Sequence, residues 1–328
     1  MRKVIGAIVG VTLLGLLFAA SFLGAFSKPA PHGVPVGVVG PAPVVEQLSA
    51  TLAKVKPGAF ELTGYASAET ARQALLDREL DAVLDPQAGK LVVASAAGRT
   101  GANVITAAFQ GAAQAQGRPL TVEDAAPTAP ADAGGIAGMF FTLSLVIPGV
   151  ALAVLLFQLA PRLGFGARTG ALALGALVAG SATAWLAHSV FEVLPGDYWA
   201  LAAISSGLVL TIALVGSGLV KLLGPGGVGL AALLFVVVGV PASGGPLGAR
   251  YIPEWYATIG HYLPVGPGAE AIRNVVFFDG AALAWPLTVL GVWALVGLVL
   301  LALPGRGRAA AEPQPAGRGS IQPSATAR

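Results

Sequence analysis

Apolar residues in this chain gather into long uninterrupted runs, and one extended polar block lies between the first run and the second. The runs cover residues 4–26, 136–159, 170–190, 199–220, 228–241 and 283–303. A helix needs roughly twenty predominantly apolar residues to cross the hydrocarbon core, and a crossing segment must satisfy its backbone hydrogen bonds internally. Five of the runs meet that length. Run 228–241 is shorter, but the window 225–246 holds no charged residue, and Gly and Pro are tolerated in membrane helices. It is read as a further span, with a re-entrant segment as the alternative. The pattern predicts an α-helical polytopic membrane protein with six spans in a one-plus-five arrangement. A mixed α/β domain is inserted between spans 1 and 2.

Inside the polar block, 27–135, the periodicity changes. Val34–Val39 reads as a buried strand, 44–55 as an amphipathic helix and 60–66 as a second strand. Ser67 is placed to cap a helix through Ala71, Ala74 and Leu75, with Glu69 in the first turn, where the helix dipole favours an anion. Two short strands, 82–84 and 90–94, flank the turn-rich Asp85, Pro86, Gln87, Ala88 and Gly89 and predict a hairpin. A helix at 102–116, a strand at 120–122 and a Pro/Ala/Gly-rich linker at 125–135 complete the block. The chain thus divides into a first span (1–26), the α/β domain with its linkers (27–135), a five-span domain (136–304) that includes the polar segment 244–282, and a tail (305–328). The tail is rich in Ala, Gly, Pro, Gln and Ser and offers too little apolar surface to fold, so disorder is expected there.

Charge orients the spans. The segments on one side hold Arg2, Lys3, Arg162, Arg168, Lys221, Arg306, Arg308, Arg318 and Arg328 against one acid, Glu312, out of the 16 Asp and Glu residues. Positive loops stay in the cytoplasm. Both termini and the tail are therefore expected to be cytoplasmic and 27–135 external, in a multi-pass plasma-membrane protein surrounded by lipid bilayer. An even number of spans follows. Run 4–26 exceeds the ~7–15-residue apolar core of a cleavable signal peptide, so it is expected to remain as a span.

Composition narrows the chemistry. There is no cysteine, hence no disulfide, thiolate metal site or cysteine nucleophile. The sequence pI of about 9.3 reflects the cytoplasmic loop arginines and describes topology, not nucleic-acid binding. No phosphate-binding GK[ST] loop and no HExxH occurs, so neither an enzyme nor a cofactor site is expected. Asp77, Glu79, Asp81 and Asp85 match no calcium loop and, with Arg72, Arg78 and Lys90 nearby, read as solvated surface charge. No Asp, Glu, Lys or Arg lies within a span, so ion or proton relays of the kind that mark pumps are not indicated. His188, beside Trp185, reads as an interfacial anchor.

Two short segments carry the candidate functional residues. The first is the cytoplasmic loop between spans 2 and 3, with Pro161, Arg162, Phe165 and Arg168. The second is 264–280, expected to form one short external helix over the outer mouth of the bundle. Pro267 would open that helix and Gly280 close it; Pro264 would precede it. Glu270 and Arg273 would form its polar side, and Val276 and Phe277 would face the spans.

One span, an external α/β block and then five spans with a long external connection before the last resemble the permease subunits of type-2 ABC exporters and the related phage-infection-protein (YhgE/Pip-like) membrane proteins. The stretches SAETARQALLDRELDAVL and HYLPVGPGAEAIRNVVFFDG carry the local resemblance. It implies a subunit of an export-type transporter that forms a homodimer, with a path between protomers, driven by a separate cytoplasmic ATP-binding subunit. The loop with Pro161, Arg162, Phe165 and Arg168 would be the docking site of that subunit. The other reading, from a different class, is a non-transporting membrane-anchored protein whose external domain binds a partner or cell-envelope component.

Overall fold

A computed structural model of the chain describes residues 1–304; the expected disordered tail, 305–328, lies outside the described residues. Among the described residues six helices are long and apolar enough to cross a membrane: Val4–Phe26, Ala137–Leu159, Phe165–Val190, Tyr198–Leu223, Pro225–Ala242 and Ala284–Ala302. The chain is a helical membrane protein. The fifth run is helical for 18 residues, about 27 Å at the usual rise, which is nearly the hydrocarbon thickness.

Helix α1 (Arg2–Phe26) leads into a five-stranded sheet built from β1 (Val34–Val39), β2 (Phe60–Tyr65), β3 (Ala82–Asp85), β4 (Lys90–Val93) and β5 (Thr121–Asp124). Strand order is β2-β1-β3-β4-β5, parallel except for the β3–β4 hairpin. Helices α2 (Ala42–Val55), α3 (Ala68–Leu76) and α4 (Arg99–Ala115) cover it. Period-two alternation places Ala82, Leu84, Leu91 and Val93 on one face with Leu52, Ile105 and Phe109, and Val83 and Val92 on the other with Ala71 and Leu75. Burial on both faces explains why β1 reads as an almost unbroken apolar run. The expected Ser67 cap is present, its hydroxyl accepting from Thr70 N at 3.2 Å.

The bundle is organised around α7 (Tyr198–Leu223), buried on nearly all sides between Leu208 and Gly218. Around it stand α5 (Ala137–Leu159), α6 (Phe165–Trp185, extended by a π-helical turn to Val190) and, C-terminal in the chain, α12 (Ala284–Ala302). Small residues set the spacing, as expected where lipid removes the hydrophobic drive between helices. A Cβ on Gly297 would meet Val215 N at 2.6 Å, and one on Gly218 would meet Leu300 Cβ at 2.4 Å.

The fifth run is not one regular helix. It comprises α8 (Pro225–Ala232), a π-helical stretch Leu233–Gly239 and α9 (Val240–Ala242). Pro241 has no N–H to return to the carbonyl of Val237. The hydroxyl of Ser21 in α1 donates to that carbonyl instead. The Tyr256 hydroxyl contacts Ser21 and donates to the Val238 carbonyl at 3.3 Å. A neighbouring helix thus supplies a donor to the carbonyl that the proline leaves without its backbone partner. Tyr256 belongs to α10 (Glu254–Tyr262), which precedes α11 (Val265–Phe277).

The segment 264–280 carries helix α11. It is the second of two short helices: α10, which precedes it, was not foreseen, and α11 runs over Val265–Phe277 with Gly280 just beyond its end. Backbones are in direct contact here: a Cβ on Gly266 of α11 would lie 2.4 Å from Gly260 O of α10, and one on Gly260 1.9 Å from Ala242 O of α9.

Candidate functional site: a polar cavity between the α/β domain and helices α10 and α11

The α/β domain does not hang from a linker. Its main core continues into Ala25, Ala242, Leu247, Tyr251, Ile252 and Tyr256, and its second core into Phe278. Between these two seats lies a cavity of about 850 Å³, walled by the start of α4 and the β1 and β3 entrances on one side and by α10, α11 and the start of α12 on the other.

Polar contacts cross this seam. The backbone N–H of His32 donates to Arg250 O at 2.9 Å, and that of Ala30 to Tyr251 O at 3.2 Å. Arg250 donates from Nη1 to Gly33 O at 2.9 Å and pairs through Nε with Asp81 Oδ2 at 3.3 Å. Tyr251 is buried and its hydroxyl donates to Gly101 O at 3.1 Å. Position 101 must be glycine for this approach, since a Cβ would meet Tyr251 Cε2 at 2.5 Å. At the other seat Arg78, in left-handed backbone after α3 (φ 68), donates from Nε to Asn274 Oδ1 at 3.2 Å and lies 4.7 Å from the Phe278 ring centroid.

Burial dominates the electrostatics. It pushes the Asp81 carboxyl above its ordinary range, against the pull of Arg78, Arg250 and Arg273. It also raises the Tyr251 hydroxyl, with Asp81 adding to the effect. Arg273, half-buried in the cavity wall, is lowered to about 10 by desolvation first and by the like charge of Arg78 second.

Helix α11 forms the floor. Pro264, Pro267, Ile272 and Val276 are buried and Phe277 is half-buried, while Glu270 and Arg273 face the cavity. That polar side meets the α/β domain, which is seated directly on it. Pro267 lies within the first turn of α11, not at its cap. Gly280 (φ 78) returns its N–H to Asn274 O at 3.0 Å and closes the helix end, as a C-terminal glycine does.

The other predicted segment divides. Pro161, Arg162 and Phe165 are exposed. Arg168 is 4% exposed, and its Nη2 donates to Ala160 O at 3.1 Å and Pro161 O at 3.3 Å, with the guanidinium 3.7 Å from the Phe157 ring centroid. Arg168 braces the loop from beneath and is not part of its surface.

The acidic residues 77–85 do not act as a unit. Asp85 caps its own hairpin, accepting from Ala88 N at 2.9 Å, while Asp81 turns into the cavity. No group of three or more metal-ligating side chains occurs among the described residues. Sequence reasoning missed Arg78, Asp81, Arg250, Tyr251 and Asn274, whose common location depends on the docking of two segments far apart in the chain. One local signal was present: Asn274 is an amide set in an otherwise apolar stretch with Val275, Val276, Phe277 and Phe278.

Compared with known proteins, the chain matches no family model, no curated protein and no solved structure.

Proposed function

We propose that the chain is the membrane subunit of an export-type permease in the plasma membrane, working as a homodimer with a separate cytoplasmic ATPase. Both termini are then cytoplasmic and the α/β domain is external. The observation that supports this most is the double role of α11. It is wedged against α5, α7 and α12 at the bundle end, and it is also the floor of the interdomain cavity. Any separation of those spans at this end displaces α11 and opens the cavity, which is the coupling a gated outer mouth requires. At the far end, Pro161, Arg162 and Phe165 offer a compact exposed surface for the ATPase, held in shape by Arg168.

A second reading, an anchored binding protein, draws on an open crevice of about 690 Å³ at the carboxyl ends of β1 and β2, where Gly40, Pro41, Glu46 and Tyr65 meet. Ligands of open α/β sheets sit at such strand ends.

The readings separate when the chain is purified from its own membranes in mild detergent. A permease carries an ATP-hydrolysing partner, and Arg162→Glu sheds it without loss of membrane insertion. Absence of ATP hydrolysis from the wild-type preparation rejects the permease. An export-only reporter inserted after Arg118 and a cytoplasm-only reporter at Arg328 test the topology, and silence of either overturns it.

A further inference from the structure

The described residues form four ion pairs: His32–Glu254, Arg72–Glu123, Lys90–Glu123 and Arg250–Asp81. Neither Arg78 nor Arg273 is in any of them, yet both line the interdomain cavity. Arg273 hydrogen-bonds to no described residue. Directly behind, Arg78 Nη1 and Asn274 Nδ2 are buried without an acceptor. Burying cationic donors without a counter-charge is costly, so this wall of the cavity lacks an anionic partner. The acids facing the same space do not supply one. Asp81 pairs directly with Arg250 alone and attracts Arg78 and Arg273 only from beyond 4.0 Å, and Glu254 stands beside His32. Glu61 lies at the Gly33 end, and Glu270, one turn from Arg273, attracts it without coming within 4.0 Å.

The cavity also has a rim of a different character. Tyr262 is 57% and Trp285 39% exposed, and both line it. Trp285 lies in the first turn of α12 and stacks on His261, the ring centroids 4.6 Å apart. Trp293 pins the end of α10 to α12 by donating to Tyr262 O at 2.7 Å. Tyr and Trp at a span end mark the level of the lipid headgroups. Below them α12 presents Leu287, Val292, Leu295 and Val299 as an exposed apolar face.

We propose that the cavity binds the anionic head of a membrane amphiphile, with Arg273 and Arg78 holding phosphate or carboxylate oxygens and the chain leaving past Trp285 along α12. Arginine suits this role because its planar fork matches two oxygens of one oxyacid. The inference needs the membrane embedding of α12, but it needs neither the ATPase nor the export direction, so it fails separately from the permease reading.

The test uses the full-length protein in detergent with phosphatidylglycerol, phosphatidylcholine or inorganic phosphate as probe, read by native mass spectrometry and thermal shift. Wild type is expected to retain phosphatidylglycerol through detergent exchange and to be stabilised by it, but not by phosphatidylcholine. Arg273→Gln should bind at least about tenfold more weakly, the loss expected for a charge-assisted contact. Arg273→Lys should recover part of that loss, which shows that the fold survives at this position. Trp285→Ala should shorten lipid retention, and Arg118→Gln, on the exposed surface of the α/β domain, should change nothing. Equal retention by wild type and Arg273→Gln overturns the proposal, as does equal weakening by Arg118→Gln. If inorganic phosphate stabilises as strongly as the lipid, the amphiphile is rejected in favour of a soluble anion.

Discussion

Arg78 and Asn274 are 196 residues apart in sequence and joined by a 3.2 Å hydrogen bond that fastens the α/β domain to α11. Each depends on the other, because Asn274 is fully buried and Arg78 has a second nitrogen without an acceptor. Asn274→Ala should cost about 1.5–3 kcal/mol, the range for a hydrogen bond to a charged group. The double variant with Arg78→Ala should cost less than the sum of the two single changes. Thermal unfolding in detergent measures the cycle, and strict additivity would show that the two residues act independently.

Two glycine substitutions separate close backbone contact from mere backbone freedom. Gly260→Ala drives a Cβ to within 1.9 Å of Ala242 O and should cost about 3 kcal/mol or more, the upper end of overpacking. Gly111 in α4 has nothing within 4 Å of its Cβ position, so Gly111→Ala should stabilise by about 0.5–1 kcal/mol. Similar midpoints for the two variants would refute the contact between α10 and α9.

Glu123 provides a test by pH. Lys90 and Arg72 both hydrogen-bond its carboxylate and hold its pKa below the ordinary value of 4.5. The native state then binds fewer protons than the unfolded state, so this contribution is complete above 4.5 and is lost as pH falls through the lowered value. Glu123→Gln should melt below wild type at neutral pH, and the gap should close in acid. A gap of unchanged size at about pH 3 would contradict the linkage.

The seating of α11 is open to thiol chemistry, since the chain has no native cysteine. Single cysteines replacing Glu270 and Val276 should react at rates at least about tenfold apart with a membrane-impermeant reagent, because a buried site reacts only after local opening. Val276 is 8% exposed, whereas Glu270 borders the cavity. Equal rates would mean that α11 is a solvated loop and not a cover.

Patterns confined to one segment were legible in the sequence. The apolar runs gave the six long helices, β1 falls at its expected bounds, and the Ser67 cap and the 85–89 hairpin turn are where local chemistry places them. Arg168 shows where such reasoning stops. A positive charge beside a loop reads as exposed, but its stem crosses Phe157 and its donors reach loop carbonyls, a geometry that sequence spacing does not encode. Asp81 likewise reads as one of several surface acids until Arg250, 169 positions later, is brought against it. Helix α10 was hidden because Trp255, Tyr256 and Tyr262 suit an interfacial loop as well as a helix. The cavity exists only because residues near 32, 78, 101, 250 and 273 converge, and convergence is a property of docking.

The repair at Pro241 also bears on how the protein is made. Ser21 and the carbonyl it serves are 216 residues apart, and synthesis runs from the N-terminus. Helix α1 therefore enters the bilayer long before its partner exists. No described residue of its most apolar window is fully buried against the rest of the molecule, so lipid can solvate it while it waits. The lateral closure of the bundle at this corner is thus a late event in biogenesis, completed only after α9 and α10 have been translated.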